Sequence, residues 1–237
     1  VMTVILAVKI AFAATSLGTL SNLIAIVIQA PLKSLGSSWI SFAIILTIVN
    51  LLWFFGIHGH LVALSVMLPI YLQMDIENLT AYQAGTALPN ILSNSFIYVY
   101  GAGACVLAGF VYCLWRAKTK RFQTIAKLAF VPMLFGIGEP LAFGVPFVFN
   151  FTLFIPAVFS GTINVILAYF ATVVGILPRL NGVSINGLPV VVSGFLTGGF
   201  RVALFQVFLC ILNIAVWSVF VKKMDQMEFE KENLQKN

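Results

Sequence analysis

Apolar residues are grouped into long runs along this chain, and polar residues are confined to short stretches between the runs. A helix that crosses a bilayer needs about 20 mostly apolar residues, because the hydrocarbon layer is about 30 Å thick. Five runs meet that requirement, so the pattern predicts five transmembrane helices. They are Ile10–Ala30, Trp39–Ile57, Asn90–Trp115, Leu153–Leu177 and Phe200–Val221.

Other parts of the chain do not fit a simple span. Leu61–Leu72 is apolar but too short, whereas Asp75–Ala87 and Leu177–Gly199 contain the polar residues and turn signals of connecting segments. Leu128–Phe149 is apolar but is interrupted by prolines and glycines. Proline breaks a helix interior, and irregular backbone at membrane depth is tolerated only inside protein or beside a wet cavity. We therefore predict a re-entrant hairpin over Leu128–Phe149.

The composition restricts the class of protein. Hydrophobic residues make up 61% of the chain and charged residues only 8%, whereas a soluble domain is about 45–50% apolar and about 25% charged. These values exclude an ordinary soluble enzyme, a disordered chain and a nucleic-acid-binding domain. The three cysteines lie in predicted spans, where they pack, and the chain has no metal-ligand spacing. We predict an all-α integral membrane protein, and we expect neither a metal nor a cofactor.

The net charge of +6 is concentrated at one place. Arg116–Lys127 carries five basic residues and no acid, which is typical of a cytoplasmic loop under the positive-inside rule rather than of a nucleic-acid site. With a hairpin that returns to the same side, Lys33 and the C-terminus are cytoplasmic too. We predict a membrane domain over 1–221 and a cytoplasmic tail over 222–237. Because the chain begins within apolar sequence, we expect a piece of a longer protein.

Glu139 is the strongest candidate for a functional residue. It lies within the broken apolar run, whereas Asp75 and Glu77 lie in a connector and are expected to be solvated. An ionised group at membrane depth costs at least about 2.5–3.5 kcal/mol, so it is rarely placed there without a function. Half-helices around it would direct free backbone groups into the same space. That arrangement favours a neutral substrate rich in hydroxyl groups.

The end of the second predicted span supplies further candidates. His58 is preceded by Gly56 and followed by Gly59, and a neutral imidazole both donates and accepts hydrogen bonds. His60 is a weaker candidate, and no cysteine or acid lies near the two histidines to complete a metal site. Trp53 either stacks on a sugar or belongs to the aromatic belt of the membrane interface. Asn150 either binds hydroxyl groups or joins helices.

These motifs resemble a known family. Gly56-Ile57-His58-Gly59, followed by the segment Gly136-Ile137-Gly138-Glu139-Pro140 and then by Asn150, is similar to the lactose/cellobiose/chitobiose-type enzyme IIC. This enzyme is the membrane permease of the bacterial phosphoenolpyruvate-dependent sugar phosphotransferase system. The chain departs from the family pattern at Gly138, where Thr or Ser is usual, and at Phe151, where Pro is frequent. Family members are longer, and the chain resembles their C-terminal, sugar-binding half.

The resemblance implies a function. It implies uptake of a β-linked disaccharide of the cellobiose, lactose or diacetylchitobiose class across the bacterial cytoplasmic membrane. Glu139 and His58 would hold the 6-hydroxyl, with Glu139 as the candidate base, and Gly59, Trp53 and Asn150 would complete the substrate site. Enzyme IIB, supplied by enzyme IIA, would deliver phosphate from a phosphocysteine, and the full-length protein would be a homodimer. Two alternatives stay open. The chain could be a proton-coupled secondary transporter with Glu139 as the proton carrier, or it could be an inactive fragment of a permease.

Overall fold

A computed structural model describes residues 38–101, 104–183 and 187–234, so the predicted span Ile10–Ala30 lies outside the described residues. Every regular element in the described part is helical, which confirms the prediction of an all-α protein. The elements, in chain order, are α1 (Trp39–Phe54), α2 (Gly59–Gln83), α3 (Asn94–Phe96) with a π-helical turn (Ile97–Gly101), α4 (Ala104–Trp115), α5 (Lys120–Leu134), α6 (Glu139–Gly144), α7 (Phe154–Val173), α8 (Val192–Gly198) and α9 (Phe200–Leu234).

Three helical stretches are long and apolar enough to cross a membrane. They are Asn94–Trp115, Phe154–Val173 and Phe200–Leu234, whereas α1 is apolar but has only 16 residues. The first stretch is irregular, because its π-helical turn lies between α3 and α4. The last stretch, α9, has 35 residues and continues without a break past Val221, the last residue of the predicted membrane domain. At about 1.5 Å per residue it is longer than the hydrocarbon layer is thick.

Helix α2 corrects the predicted connector. It has 25 residues and includes both the apolar segment that we considered too short and the acidic segment after it. The expectation that Asp75 is solvated is wrong, because its side chain is only 1% exposed. The carboxylate accepts hydrogen bonds from the Ser95 backbone N–H (2.8 Å) and from the Ser95 hydroxyl (2.6 Å). Such charge-assisted bonds offset the loss of hydration.

The segment predicted as a hairpin forms the end of helix α5 and helix α6, which contact each other, although Pro132 lies inside α5 and does not break it as expected. The chain reverses at Phe135–Gly138, where Gly136 has a φ of +79° that favours glycine. The Arg121 Nη2 atom donates to the Gly144 carbonyl (3.2 Å) and joins the outer ends of the two helices. The predicted loop 116–127 is wrong in length, because α5 begins at Lys120 and leaves only residues 116–119 between helices. Helix propensity and the buried apolar face of α5 override the basic composition.

Helix α9 holds the bundle together through close contacts and amide bonds. A Cβ added to Gly109 of α4 would lie 2.5 Å from the Asn213 backbone of α9, so these two helices approach at a glycine. The side chain of the same residue links α9 to α7, because Asn213 Nδ2 donates to Asn164 Oδ1 of α7 (3.0 Å). Amide bonds of this kind join helices where the surroundings are apolar. Helices α4, α7 and α9 therefore form a wall, against which the hairpin and the α1–α2 turn are placed.

Candidate functional site

Two turns meet at the candidate site. Helix α1 ends at Phe54, and the chain turns at Gly56, whose φ is +78°. The segment after the hairpin packs against this turn, because the Phe149 N–H donates to the Phe54 carbonyl (3.0 Å). The Val148 side chain covers Gly56, and a Cβ at Gly56 would lie 3.2 Å from Val148 Cγ1. These contacts fix the beginning of α2 relative to the hairpin.

His58 caps the N-terminus of α2. Its Nδ1 atom accepts a hydrogen bond from the Leu61 N–H (3.3 Å), so a neutral ring carries its proton on Nε2. The next residue, Gly59, packs on α1, and a Cβ there would lie 2.0 Å from the Val49 carbonyl oxygen. Gly59 is not among the residues that line the cavity described below. Gly59 allows α1 and α2 to approach closely, and this approach sets the position of the His58 imidazole at the start of α2.

Glu139 is the first residue of α6, and its carboxylate faces His58. Glu139 Oε1 lies 3.8 Å from His58 Nε2, which is too long for a hydrogen bond. The two side chains are 48% and 38% exposed, so the space between them is open to a ligand. An oxygen about 2.8 Å from both atoms would complete a triangle with them. A hydroxyl group fits, because it accepts from the imidazole N–H and donates to the carboxylate.

The structure brings Trp53 to the same place but gives Asn150 another contact. The Trp53 ring centroid lies 4.3 Å from that of His58, with the ring planes at 50°. Asn150 Nδ2 donates to the Pro146 carbonyl (2.6 Å), and Asn150 Oδ1 accepts from the Thr152 N–H (3.0 Å). Asn150 therefore braces the turn before α7, and it is not among the described residues that line the cavity.

Trp53, His58 and Glu139 line a cavity of about 400 Å³. This volume falls within the range of about 300–1,000 Å³ that is usual for small-molecule sites. The walls come from α1, α2, α3 with its π-helical turn, α4, the hairpin, α7, α8 and α9. Polar side chains in these walls that sequence reasoning did not assign to a site are Asn50, Ser95, Tyr98, Ser193, Thr197 and Gln206.

Gln206 is the most connected of these additional residues. Its side chain, 1% exposed, joins α9 to two interrupted segments of the wall. Gln206 Oε1 accepts from the backbone N–H groups of Val191 (2.8 Å) and Gly194 (3.0 Å) at the start of α8. Gln206 Nε2 donates to the Val99 carbonyl of the π-helical turn (2.8 Å) and to Ser193 Oγ (3.1 Å). The sequence signal was an amide within the apolar run Phe200–Val221.

The charge of the cavity is low. Among the described residues that line it, Glu139 is the one carboxylate, and no lysine or arginine accompanies it. The remaining polar groups are hydroxyls, amides and imidazoles, which exchange neutral hydrogen bonds. An aromatic ring, a carboxylate and a hydrogen-bond donor at one end of a cavity with otherwise uncharged walls are suited to an uncharged, polyhydroxylated ligand.

Comparison with known proteins identifies relatives of this chain. Residues 1–161 match the family model described as phosphotransferase system, EIIC, which is more than half of the chain. The oligo-beta-mannoside-specific EIIC component of the PTS system of Bacillus subtilis (strain 168) is 32% identical over 88% of this chain and 48% of its own length. The lichenan permease IIC component of the same organism is 30% identical over 98% of this chain and 53% of its own length.

A solved structure agrees with these relatives. The chain superimposes on the crystal structure of the transporter ChbC, the IIC component from the N,N'-diacetylchitobiose-specific phosphotransferase system, with a TM-score of 0.88 and 29% identity. The match covers 98% of this chain and 55% of the ChbC chain. The chain thus spans about half the length of the relatives that it matches.

Proposed function

Because this chain belongs to the phosphotransferase system EIIC family, we propose that it is the sugar-binding part of a membrane permease for a β-linked disaccharide. The observation that carries the proposal is the gap of 3.8 Å between His58 Nε2 and Glu139 Oε1 at a cavity whose described lining has no lysine or arginine. The names of its relatives, which refer to oligo-beta-mannosides, lichenan and diacetylchitobiose, support the class of cellobiose-like sugars.

The proposed sugar binds with one hydroxyl group in this gap. The hydroxyl oxygen accepts from the His58 N–H, and its proton is donated to the Glu139 carboxylate. One face of the sugar ring lies on the Trp53 indole, which is 4.3 Å from the imidazole between ring centroids. Two hydrogen bonds and one aromatic surface together fix the direction in which the oxygen lone pair points. The carboxylate is left exposed until the sugar covers it.

The proposed chemistry is phosphoryl transfer from enzyme IIB to the 6-hydroxyl. The hydroxyl oxygen attacks the phosphorus of the IIB phosphocysteine, a P–O bond forms, the P–S bond breaks and the cysteine leaves as a thiolate. Glu139 takes the hydroxyl proton as general base, which contributes roughly 10²–10⁴-fold to the rate. His58 keeps its Nε2 proton and orients the attacking oxygen. The described lining of the cavity has no lysine or arginine to pair with the phosphate group of the product, so the sugar phosphate is released.

The remaining expectations belong to this proposal. A bacterial cytoplasmic membrane would hold residues 1–221, with the tail, 222–237, and the connection 116–119 on the cytoplasmic side, where enzyme IIB docks and enzyme IIA recharges it. The complete protein would act as a homodimer. The three helical stretches with the length of membrane spans support a multi-pass arrangement.

Uptake of radiolabelled cellobiose by the full-length protein tests the proposal. In membrane vesicles, label should accumulate as sugar phosphate only when enzyme IIB and its phosphate source are present, and a protonophore should leave the initial rate unchanged. Vesicles without the protein serve as the control. Accumulation of unmodified sugar that the protonophore abolishes would instead support the proton-coupled transporter. Uptake by the full-length protein combined with the absence of sugar binding by residues 1–237 alone would support an inactive permease fragment.

A further inference from the structure

A cluster of cations lies outside the cavity. Two basic segments that are about 100 residues apart in the sequence carry exposed side chains, and we call them together the basic patch. Its members are Arg116, Lys118, Lys120, Arg121, Lys222 and Lys223. The sequence shows each segment separately, and only the fold shows that they share one surface.

Asp225 brings the two segments together. Its carboxylate accepts from the backbone N–H groups of Lys118 (2.6 Å) and Thr119 (2.9 Å), so the connection between α4 and α5 lies on α9 within one turn of Lys222 and Lys223. Asp225 itself is 6% exposed. Its charge holds the backbone in place and is not presented to a partner at the surface, so the patch keeps an excess of positive charge.

The patch borders an apolar surface on three helices. On α5 the exposed basic residues Lys120, Arg121 and Lys127 are followed by the exposed apolar residues Leu128 and Val131, which are 71% and 60% exposed. On α4 the exposed aromatic Trp115 directly precedes Arg116, and on α9 the exposed Val219 precedes Lys222. Exposed apolar side chains in a membrane protein face lipid tails, and tryptophan is enriched at the headgroup level. The boundaries between basic and apolar exposed residues on α4, α5 and α9 therefore mark one plane, the interface between membrane and water.

A shallow apolar surface continues from the patch toward the membrane centre. The rings of Trp115 on α4 and Phe130 on α5 contact each other edge to face, with centroids 5.5 Å apart. Both side chains are exposed, and Val131, which follows Phe130 on α5, is exposed as well. A lipid whose headgroup lies at the patch has its acyl chains at this level.

We propose that the basic patch binds the phosphate of an anionic phospholipid, with the acyl chains against the Trp115–Phe130 pair. Basic clusters next to the end of a membrane span attract anionic headgroups by about 1 kcal/mol for each cation, which is about fivefold in affinity. Arginine and lysine N–H groups donate to phosphate oxygens in charge-assisted hydrogen bonds. The proposal does not depend on the sugar or on its phosphorylation.

A lipid titration tests the site. Short-chain phosphatidylglycerol is added to the purified protein in neutral detergent, and native mass spectrometry measures the bound lipid. Phosphatidylcholine serves as the reference lipid. The variant K118Q/K120Q/K222Q should bind phosphatidylglycerol about 100-fold more weakly than the unmodified protein does. The matched control is Lys231→Gln, since Lys231 lies two turns further along α9 and pairs with Glu228 (2.9 Å). The control should bind phosphatidylglycerol normally. Thermal unfolding confirms that each variant is folded.

Three results would overturn the proposal. The first is equal affinity of the unmodified protein for the two lipids. The second is protection from thermal unfolding by inorganic phosphate alone to the extent that the lipid gives, which would identify a site for free phosphate. The third is a triple variant that binds phosphatidylglycerol normally but supports only slow phosphate transfer from enzyme IIB to the sugar in neutral detergent, which would identify a protein-docking surface.

Discussion

Replacement of Gln206 by methionine should loosen the cavity wall. Methionine keeps the unbranched shape of glutamine but can neither accept from the Val191 and Gly194 N–H groups nor donate to the Val99 carbonyl. Val191 has a φ of +76°, a strained conformation for a β-branched residue that the Gln206 bond helps to hold. The substitution therefore removes four hydrogen bonds and a restraint on the start of α8 at once.

The size of the destabilisation caused by Gln206→Met follows from the backbone groups that lose their hydrogen-bond partners. A buried N–H without a partner costs about 1–3 kcal/mol, and two N–H groups are affected. The apolar methionine side chain recovers part of this loss by burial, so we expect a net destabilisation of about 2–4 kcal/mol. For a chain of this size, each kcal/mol lowers the midpoint of thermal unfolding by about 2–4 °C. Sugar affinity should fall as well, because Ser193 and Val99 line the cavity.

Thermal unfolding and sugar titration of the purified protein measure both effects. Gln226→Met is the matched control, since Gln226 is exposed on the same helix, and such surface changes usually stay within about 0.5 kcal/mol. If Gln206→Met unfolded within 1–2 °C of the control, the bonds of Gln206 would not stabilise the wall as described.

Three further substitutions test individual contacts. Gly59→Ala places a methyl group 2.0 Å from the Val49 carbonyl oxygen, so α1 and α2 must separate. Both the unfolding temperature and the sugar affinity should fall. Unchanged sugar affinity in a titration would contradict the placement of His58. Asp75→Ala removes the acceptor of both Ser95 bonds and should destabilise the protein by about 2–4 kcal/mol in thermal unfolding; a neutral result would mean that the buried carboxylate is not needed. Trp53→Ala should weaken sugar binding by about tenfold while the unfolding temperature changes little, and equal affinity would exclude ring stacking.

Much of the fold follows from the distribution of apolar residues. The predicted spans Trp39–Ile57, Leu153–Leu177 and Phe200–Val221 correspond to α1, α7 and the first part of α9. Burial in a membrane requires continuous apolar composition, so such helices are visible in a single sequence. The chain reversal is also visible, because Gly136 and Gly138 interrupt the apolar run between Leu134 and Glu139, whereas Pro132 lies inside α5 and does not end it.

Residues that are held by distant partners could not be assigned in this way. Asp75 looked solvated because its partner Ser95 lies 20 residues further along the chain. Gln206 binds Val99, which is 107 residues away, and no local pattern indicates that pairing. Composition indicates that a polar group in an apolar run needs a partner, whereas only the packed structure shows which partner it has.

In the candidate site, too, the sequence indicates which residues are functional candidates, whereas the structure shows which contacts they make. Glu139 was identified by its isolation and His58 by its position at a helix break, and the fold brings the two side chains to 3.8 Å. The roles of Gly59 and Asn150 depend on backbone contacts with Val49 and Pro146. Motif reasoning groups all four residues in one site, whereas the geometry separates those that line the cavity from those that position them.

Phosphoryl transfer by Glu139→Gln tests the central claim most directly. Glutamine keeps the size of the side chain and still accepts a hydrogen bond from a sugar hydroxyl, but it cannot take the proton. In the full-length protein with enzyme IIB and radiolabelled cellobiose, the rate of sugar phosphate formation should fall roughly 10²–10⁴-fold, while sugar affinity changes only a few-fold. Glu228→Gln, which alters a carboxylate on the distal part of α9, should transfer phosphate at the normal rate. A normal rate for Glu139→Gln would contradict the assignment of Glu139 as the base.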